Sequence, residues 1–315
     1  MQDNENGAGV RFVEVSDRHD GQRIDNFLLH ILKGVPKSRI YRILRRGEVR
    51  VNRGRIRPDH RLQAGDRVRL PPVRTAQPQE RPKPPAFLLA QLKGAVLLED
   101  DRVLVLDKPS GLAVHGGSGQ DFGIIEVLRA LRPEAPFLEL AHRLDRETSG
   151  CLVIAKSPTA LGDLHHSLRE RSGDKRYLAL LRGRLTGPCT VEAPLRKNVL
   201  RGGERLVAVD PDGKPATTRF TALQHYGEAT LVEAAIETGR THQIRVHARH
   251  LGHPLAGDGK YGDEGFNRRM ALLGLKRLFL HAHSLTLPLG PREVTVSAPL
   301  ETSLRRVLDR LEGQQ

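Results

Sequence analysis

Apolar residues at helical spacing predict two short amphipathic helices near the start of the chain. The stripe of the first helix recurs at intervals of three and four positions, at Ile24, Phe27, Leu28, Ile31 and Leu32. Pro36 suits the first turn of the second helix, whose stripe is Ile40, Ile43 and Leu44. Residues 49–52 and 67–70 then alternate between apolar and polar positions, as short strands do. We therefore expect a compact unit of two helices and a small sheet over residues 20–72, after an N-terminal segment over residues 1–19.

A proline-rich stretch separates this unit from a longer second part. Residues 71–86 contain six prolines in sixteen positions and no apolar periodicity, which predicts an extended linker. We place the linker at residues 73–93. The strand-like runs that follow it are residues 102–106, 151–155, 176–181, 217–222, 230–236 and 293–297. The helical segments are residues 123–131, 158–169, 241–251 and 302–311.

Strands outnumber helices in this second part and do not alternate strictly with them. This pattern favours an α+β fold over a doubly wound one. We expect residues 94–315 to form a mainly antiparallel mixed β-sheet with flanking helices and loops, preceded by the small α/β unit.

Charge changes the interpretation of the first unit. The chain carries 51 Lys and Arg against 37 Asp and Glu, a net charge of +14. Residues 1–86 hold 19 of these basic residues and 10 of the acidic ones, a net +9, and residues 33–57 hold ten basic residues with one acid. So concentrated a charge predicts a polyanionic partner. The candidate nucleic-acid contacts are Lys37, Arg39, Arg42, Arg45, Arg46 and Arg50.

Aromatic residues are scarce in the same stretch, where Tyr41 stands alone. Proteins that bind unpaired bases usually offer aromatic rings on which the bases stack. We therefore expect this unit to hold folded RNA or DNA by its shape and backbone, and not by stacking on unpaired bases.

Several other classes of protein are disfavoured. Cys151 and Cys189 have no cysteine partner at ligand spacing, which argues against a disulfide framework or a zinc site. The chain shows no apolar core of a signal peptide and no run of about 18 apolar residues, the length of a membrane span. We expect a cytoplasmic protein that does not span a membrane.

Three apparent motifs lack a necessary part. Residues 115–119 resemble an esterase oxyanion loop, but the chain has no Gly-x-Ser-x-Gly elbow. Residues 252–257 have the spacing of a nucleotide-phosphate loop, but Asp258 stands where that loop needs lysine. The fourteen histidines show no metal motif such as His-Glu-x-x-His, so we expect no metal site.

Asp145 is the candidate for chemistry. It lies within residues 142–150, one short carboxylate among basic residues, ahead of an apolar run at residues 151–155. From these residues alone two interpretations stay open. Asp145 either caps a turn, as loop aspartates commonly do, or it is a reactive carboxylate that a neighbouring arginine keeps ionised.

Further segments resolve this choice by their resemblance to a known family. The segments, in chain order, are residues 105–111, 142–150, 175–180, 237–247, 252–255 and 280–282. In their amino-acid sequences and in their order along the chain, they closely resemble the RluA family of pseudouridine synthases. The first unit, through residues 47–52 and 62–66, resembles an S4 RNA-binding domain. Together the resemblance spans roughly residues 10–312.

The resemblance implies an enzyme that converts uridine to pseudouridine in large-subunit (23S) ribosomal RNA, with no cofactor and no metal. Asp145 matches the family's catalytic aspartate, which would attack the nucleotide or abstract a sugar proton. Arg245 matches the arginine that pairs with it. At about 4 Å and an effective dielectric near 20, such a pair gains roughly 4 kcal/mol, enough to keep the carboxylate ionised in a desolvated pocket.

The resemblance also implies roles for residues around the pocket. Tyr177 corresponds to the family's active-site tyrosine, set against the uracil face and suited to help remove the C5 proton. Arg143 would fill the space that the flipped base leaves. We further expect His142, Lys108 and Ile244 to contact substrate or RNA, with support of the catalytic loop as the alternative for His142 and Lys108.

Two other classes of function remain to be distinguished by experiment. The charge and the S4-like unit alone fit a non-catalytic RNA-binding or ribosome-assembly protein equally well. A metal-dependent RNA hydrolase would cleave RNA in a way that a chelator abolishes. The expected partner is large-subunit ribosomal RNA, either free or in an assembling particle, and nothing in the chain demands more than a monomer.

Overall fold

The computed structural model describes residues 9–32, 34–73, 83–116, 122–201 and 204–314. The chain divides into two compact units, Met1–Pro82 and Lys83–Gln315. Residues 74–82 of the predicted linker lie outside the described residues. Within the described ranges, no helix has the length and apolar character needed to cross a membrane.

The first unit packs two helices against one face of a four-stranded antiparallel sheet. The helices are α1 Ile24–Ile31 and α2 Lys37–Arg45. The strands are β1 Arg11–Glu14, β2 Arg50–Val51, β3 Gly54–Arg55 and β4 Arg67–Leu70, in the order β1-β4-β2-β3. The apolar stripes predicted for the helices are buried except for Ile31, which is partly buried, and Val51 and Val68 of the sheet pack against them. Burial of these side chains is the main force that holds so small a unit together.

Strand β1 lies within the range expected to be an N-terminal segment. It pairs along its whole length with β4, so that Phe12 stands opposite Arg69 and Val13 opposite Val68. Its four residues offer too short an alternation to be recognised without the pairing partner. The sheet of the first unit therefore begins before residue 20.

The second unit contains the remaining strands and helices. Its strands are β5 Val96–Glu99, β6 Val103–Lys108, β7 Glu139–Leu140, β8 Ser149–Ala155, β9 Asp174–Arg182, β10 Cys189–Glu192, β11 Leu195–Arg201, β12 Glu204–Val209, β13 Thr217–Tyr226, β14 Ala229–Ile236, β15 Leu280–Leu289 and β16 Arg292–Ser297. Its helices are α3 Ala86–Lys93, α4 Ile124–Leu131, α5 Pro158–Arg169, α6 Gln243–His250, α7 Glu264–Leu272 and α8 Thr302–Glu312.

One large mixed sheet organises this second unit. Its strands follow the order β10-β13-β14-β9-β15-β8-β6-β5, with β16 beside β15 and β7 beside β8. The pairs are antiparallel except for β8 with β15. Strands β11 and β12 form a separate two-stranded antiparallel sheet. This architecture confirms the predicted α+β class, and every strand and helix predicted for the second part is present.

Helix α3 is a correction to the predicted linker, because residues 86–93 are helical and not extended. Pro85 immediately precedes the helix, and Leu92 is completely buried in the main core of the second unit. The prolines that suggested a linker therefore also mark a helix start, where a missing N–H costs nothing.

Strands β8 and β15 approach each other closely beside the site described below. Gly150 has a φ of +105°, and a Cβ atom there would lie 2.2 Å from the carbonyl oxygen of Ala282. Only glycine fits this position without moving a central strand. This close contact at Gly150 fixes where the loop between β7 and β8 joins the sheet.

Candidate active site

Asp145 lies in the loop between β7 and β8, and a buried lysine anchors that loop through its backbone. Lys108, at the end of β6, donates hydrogen bonds from Nζ to the carbonyl oxygens of Arg146 at 3.0 Å and Thr148 at 2.8 Å. A third bond runs to the carbonyl of Pro109 at 2.9 Å. Three donors thus meet three acceptors, which suits an ammonium group.

The segment after β6 adds further bonds to the same loop. Ser110 Oγ donates to the carbonyl of Glu147 at 2.8 Å, and the N–H of Gly111 donates to the carbonyl of Arg146 at 2.9 Å. Arg146 Nε donates in return to the carbonyl of Gly111 at 3.0 Å. The backbone around Asp145 is therefore held on a rigid support, as a reactive group requires.

The structure does not place Lys108 where it would contact substrate. Its side chain is completely buried and its donors are occupied by the three carbonyls. Burial and the nearby charge of Arg277 lower the pKa of Lys108 to about 7, while the carbonyl acceptors favour its charged form. Of the two roles considered for this residue, the geometry favours support of the loop.

Lys108→Met is expected to destabilise the protein, because it leaves buried carbonyl oxygens without their donor. Each unsatisfied acceptor of this kind costs about 1–3 kcal/mol. Urea denaturation measures the change in the free energy of unfolding, and Lys93→Met, at an exposed lysine of α3, serves as the matched control. Equal stability of the two variants would contradict the anchoring role.

Arg245, on α6, links Asp145 to a second and more deeply buried carboxylate. Its Nη1 lies 3.5 Å from Oδ2 of Asp145. Its Nε and Nη2 donate to the two carboxylate oxygens of Asp258 at 2.7 and 2.8 Å. The guanidinium is therefore held by a bidentate pair with Asp258 and presents its remaining edge to Asp145.

Backbone N–H groups of the turn that follows Asp258 hold its carboxylate in place. Its Oδ1 accepts hydrogen bonds from the backbone N–H groups of Lys260 and Tyr261, both at 2.9 Å. Burial alone would raise the pKa of Asp258, but the bonds and charge of Arg245 and these backbone donors outweigh burial and lower it. Burial opposes the charge of Arg245 as well, yet Asp258 and Asp145 together raise its pKa. Both partners stay ionised inside the protein.

His242 approaches the same carboxylate oxygen of Asp145 as Arg245 does. Its Nε2 lies 3.8 Å from Oδ2 of Asp145, and its Nδ1 lies 2.7 Å from the hydroxyl of Tyr261. Burial, together with the charge of Arg245, lowers the pKa of His242, so the ring is neutral near pH 7. Tyr261 Oη already accepts from the N–H of Val207 at 3.0 Å. Its hydroxyl hydrogen is then available to Nδ1, which favours the tautomer whose proton sits on Nε2, towards Asp145.

The backbone at His242 is strained in a way that is typical of functional sites. His242 has φ +55° and ψ +20°, the left-handed region that residues with a Cβ rarely adopt, and it immediately precedes α6. Gln243 holds this corner through bonds to Thr238, Arg240, Thr217 and Thr218. The corner places His242 and Arg245 on the same side of α6.

These groups open into one pocket at the surface of the second unit. Its lining includes Asp145, Arg143, Tyr177, His242, Ile244 and Arg245. Tyr177, on β9, stands between Ala234 of β14 and Ala282 of β15 in the sheet register. Burial, together with the charge of Asp145, raises the pKa of Tyr177, which keeps its hydroxyl protonated.

His142 points into the protein and not towards the pocket lining. Its Nε2 accepts a hydrogen bond from the backbone N–H of Val153 at 3.1 Å. Burial, with the charge of Lys175, lowers the pKa of His142 to about 4, in keeping with a neutral acceptor. Of the two roles considered for His142, this geometry favours support of the loop.

The basic residues predicted on the first unit lie on two surfaces. Lys37, Arg39, Arg42, Arg45 and Arg46 belong to α2 and the residue that ends it. Three of them, Arg39, Arg42 and Arg45, line one shallow hollow. Arg50 lies instead on β2 and lines a second hollow on the sheet. The two hollows share no lining residue.

Asp258, His242 and Tyr261 were not predicted as members of the site. Asp258 was considered only as the residue that stands where a nucleotide-phosphate loop needs lysine, and His242 only as one of the fourteen histidines and as part of residues 237–247. The flanking Gly257 and Gly259 were the available signal, because glycines around an aspartate indicate a tight turn that can aim a carboxylate. Within the described ranges, no group of three or more His, Cys, Asp and Glu side chains has the arrangement of a metal site.

Comparisons with known proteins give matches over both units of the chain. Residues 102–250 match the family model of RNA pseudouridylate synthase, and residues 22–68 match the S4 domain. The chain is 53% identical to ribosomal large subunit pseudouridine synthase C of Pasteurella multocida strain Pm70, over 97% of this chain and 95% of that protein. It is 54% identical to the protein of the same name from Escherichia coli strain K12, over 96% of this chain and 97% of that protein.

A solved structure is also similar. Human RNA pseudouridylate synthase domain containing 4 superposes with a TM-score of 0.62 at 27% identity, over 72% of this chain and 96% of that one. The similarity therefore extends from sequence to three-dimensional structure.

Proposed function

Because the chain belongs to the RNA pseudouridylate synthase family, we propose that it isomerises uridine to pseudouridine at specific positions of large-subunit (23S) ribosomal RNA. The names of its relatives support this substrate. The observation that carries the proposal is the pairing of a loop carboxylate, Asp145, with a buried arginine, Arg245, at 3.5 Å in an open pocket.

The reaction breaks the bond between the sugar C1′ and N1 of uracil and forms a bond from C1′ to C5, after which C5 loses its proton and N1 gains one. Asp145 would begin it as an ionised carboxylate, by attack on the nucleotide or by taking a sugar proton. The target uridine has to leave its stack to reach the pocket and displaces water there. Arg245, held by Asp258, offsets the loss of hydration that would otherwise favour a protonated Asp145.

Tyr177 and His242 line the same pocket as this carboxylate and would assist it in different ways. The raised pKa of Tyr177 keeps its phenol protonated, and a protonated phenol does not readily accept the C5 proton. We therefore propose that Tyr177 serves mainly by contact with the uracil ring. His242, neutral and with Nε2 towards Asp145, would restrict the carboxylate to one orientation. Ile244 supplies an apolar part of the same pocket.

Arg143 would occupy the gap that the flipped nucleotide leaves in the RNA. Its side chain is exposed, comes from the loop of Asp145 and reaches the pocket rim. A cationic planar side chain can stack in such a gap and balance nearby phosphates. The basic surface of α2 would hold the RNA through its phosphates.

Pseudouridine mapping tests the proposed function directly. The purified protein is incubated with ribosomal RNA from a strain that lacks it, both as free RNA and in large-subunit particles, with and without a chelator. We expect pseudouridine at discrete positions, with no effect of the chelator. RNA binding without new pseudouridine would favour a ribosome-assembly protein, and chelator-sensitive strand cleavage would favour a hydrolase.

Loss of charge on α2 should weaken RNA binding in a salt-dependent way. Replacing Arg39, Arg42 and Arg45 together by Gln removes three phosphate contacts, so the slope of log K against log salt should become shallower by about 2 to 3. Filter binding across a salt series measures the slope. The control replaces Arg305 and Arg306 by Gln, on exposed positions of α8. An unchanged slope in the α2 variant would remove this surface from the proposal.

A further inference from the structure

The outer face of the sheet in the first unit combines an exposed aromatic ring with four arginines. Phe12 of β1, Arg69 of β4 and Arg50 of β2 stand side by side across three adjacent strands. Arg67 lies two residues before Arg69 on the same face. Together with Asn52 and Arg53 these residues line a hollow, which we call the Phe12 face.

Phe12 is unusual because its ring is exposed although an apolar core lies one residue away. Its side chain is 53% exposed, whereas the next residue of the strand, Val13, packs against the buried side chains of the unit. The guanidinium carbon of Arg67 lies 4.5 Å from the centre of the Phe12 ring. The cation covers one side of the ring and fixes it, while the exposed part remains available to a second flat group.

The arginines of this face are held in place by the backbone. Arg69 Nη1 donates to the carbonyl of Glu48 at 2.7 Å, and Arg50 Nε donates to the carbonyl of Gly47 at 3.4 Å. Each guanidinium has five N–H groups, so donors remain for a phosphate. The acids beside this face are Glu14, opposite Arg67 in the register, and Asp66, whose Oδ1 accepts a hydrogen bond from Nδ2 of Asn52 at 2.8 Å. Two carboxylates against four guanidinium groups leave the face positive.

We infer that the Phe12 face binds an unpaired nucleotide of the RNA substrate, with the base stacked on Phe12 and the adjoining phosphates held by Arg50, Arg67 and Arg69. A positive surface that carries an exposed aromatic ring is the combination that recognises single-stranded nucleic acid. This inference rests on the proposed function for the presence of RNA. It changes the expectation that the first unit lacks a stacking residue, because Phe12 comes from a strand outside the expected bounds of that unit.

The face would complement the α2 surface and not duplicate it. The α2 hollow is lined by Arg39, Arg42 and Arg45 among aliphatic and small polar residues, with no aromatic side chain among its described lining. Such a surface binds the phosphates of a folded RNA. The Phe12 face would instead select a bulge, a loop or a single-stranded junction beside the helix.

The absence of tryptophan from the whole sequence allows a direct test. Phe12→Trp in the full-length protein introduces a single indole at the proposed stacking position. We expect its fluorescence to be quenched by a ribosomal RNA hairpin with a bulged nucleotide, and not by a fully paired hairpin of the same length. Phe87→Trp, at the 68% exposed Phe87 of α3, is the matched control and should respond to neither RNA.

Phe12→Ala provides the affinity counterpart. Loss of one stacked base should weaken binding of the bulged hairpin about five- to a hundredfold and leave binding of the paired hairpin unchanged. Quenching by both hairpins, or wild-type affinity of Phe12→Ala for the bulged one, would overturn the inference. Pseudouridine formation by the wild-type protein is measured in parallel. Activity without quenching rejects this face alone, whereas absence of activity rejects the proposed function.

Discussion

Asp145→Asn should lower kcat for pseudouridine formation by about 10⁴-fold or more, the scale seen when a nucleophile is removed from an enzyme. The amide keeps the shape of the side chain but has no charge with which to attack the nucleotide or take a proton. Binding of ribosomal RNA should be retained, because Asp145 contributes no positive charge. Single-turnover pseudouridine assays and filter binding separate the two effects.

The matched control for this variant is Glu147→Gln. Glu147 lies in the same loop, but its side chain is exposed and its carbonyl, not its carboxylate, accepts the bond from Ser110. The same loss of one negative charge two residues away should leave kcat within a few-fold of wild type. If Asp145→Asn turned over as fast as Glu147→Gln, the carboxylate would have no part in the chemistry.

Asp258→Asn should have the largest effect of any substitution outside the pocket lining, on both stability and rate. It leaves Arg245 buried and charged, with Asp145 at 3.5 Å as its remaining carboxylate. Breaking a buried ion pair in this way costs about 3–5 kcal/mol. The released guanidinium also shifts relative to Asp145, and a misplacement of about 1 Å can cost 10²-fold in rate.

A double variant distinguishes a role of Asp258 in positioning Arg245 from simple damage to the fold. Adding Arg245→Met to Asp258→Asn removes the unpaired charge, so at least half of the lost stability should return, as measured by urea denaturation. Catalysis should stay low in the double variant because Asp145 has lost its cation. A double variant no more stable than Asp258→Asn, or one with restored activity, would contradict this account.

Elements with a strong local pattern of apolar residues were the most predictable part of the fold. Helix α5 was predicted over the range that the structure shows, and β8 was recognised from a short apolar run that is buried at every position. Both signals are local. The order of the large sheet is not, because the pairing of His281 with Ser149 joins residues 132 positions apart. Alternation along one strand carries no information about its partner.

The residues of the site also differ in how far the sequence could predict them. Resemblance pointed to Asp145 and Arg245 as a pair, and the two side chains do lie within 3.5 Å of each other. It did not indicate that Arg245 gives its strongest bonds to Asp258, thirteen residues further along the chain. Such a partner depends on how a turn after α6 folds back, which no periodicity encodes. The proposed binding role of Phe12 was not predicted for a related reason. Only the pairing of β1 with β4 places this aromatic ring beside the arginines.

The anchoring of the Asp145 loop acts on its backbone and leaves two of its side chains outside the hydrogen-bond network. Lys108, Ser110 and Gly111 all bind carbonyl oxygens of the loop. The exposed side chains of Arg143 and Glu147 take no part in those bonds. A substitution at either position therefore removes none of the hydrogen bonds that hold the loop. The placement of the Asp145 carboxylate depends on the loop backbone, so it is insulated from changes at these two exposed side chains.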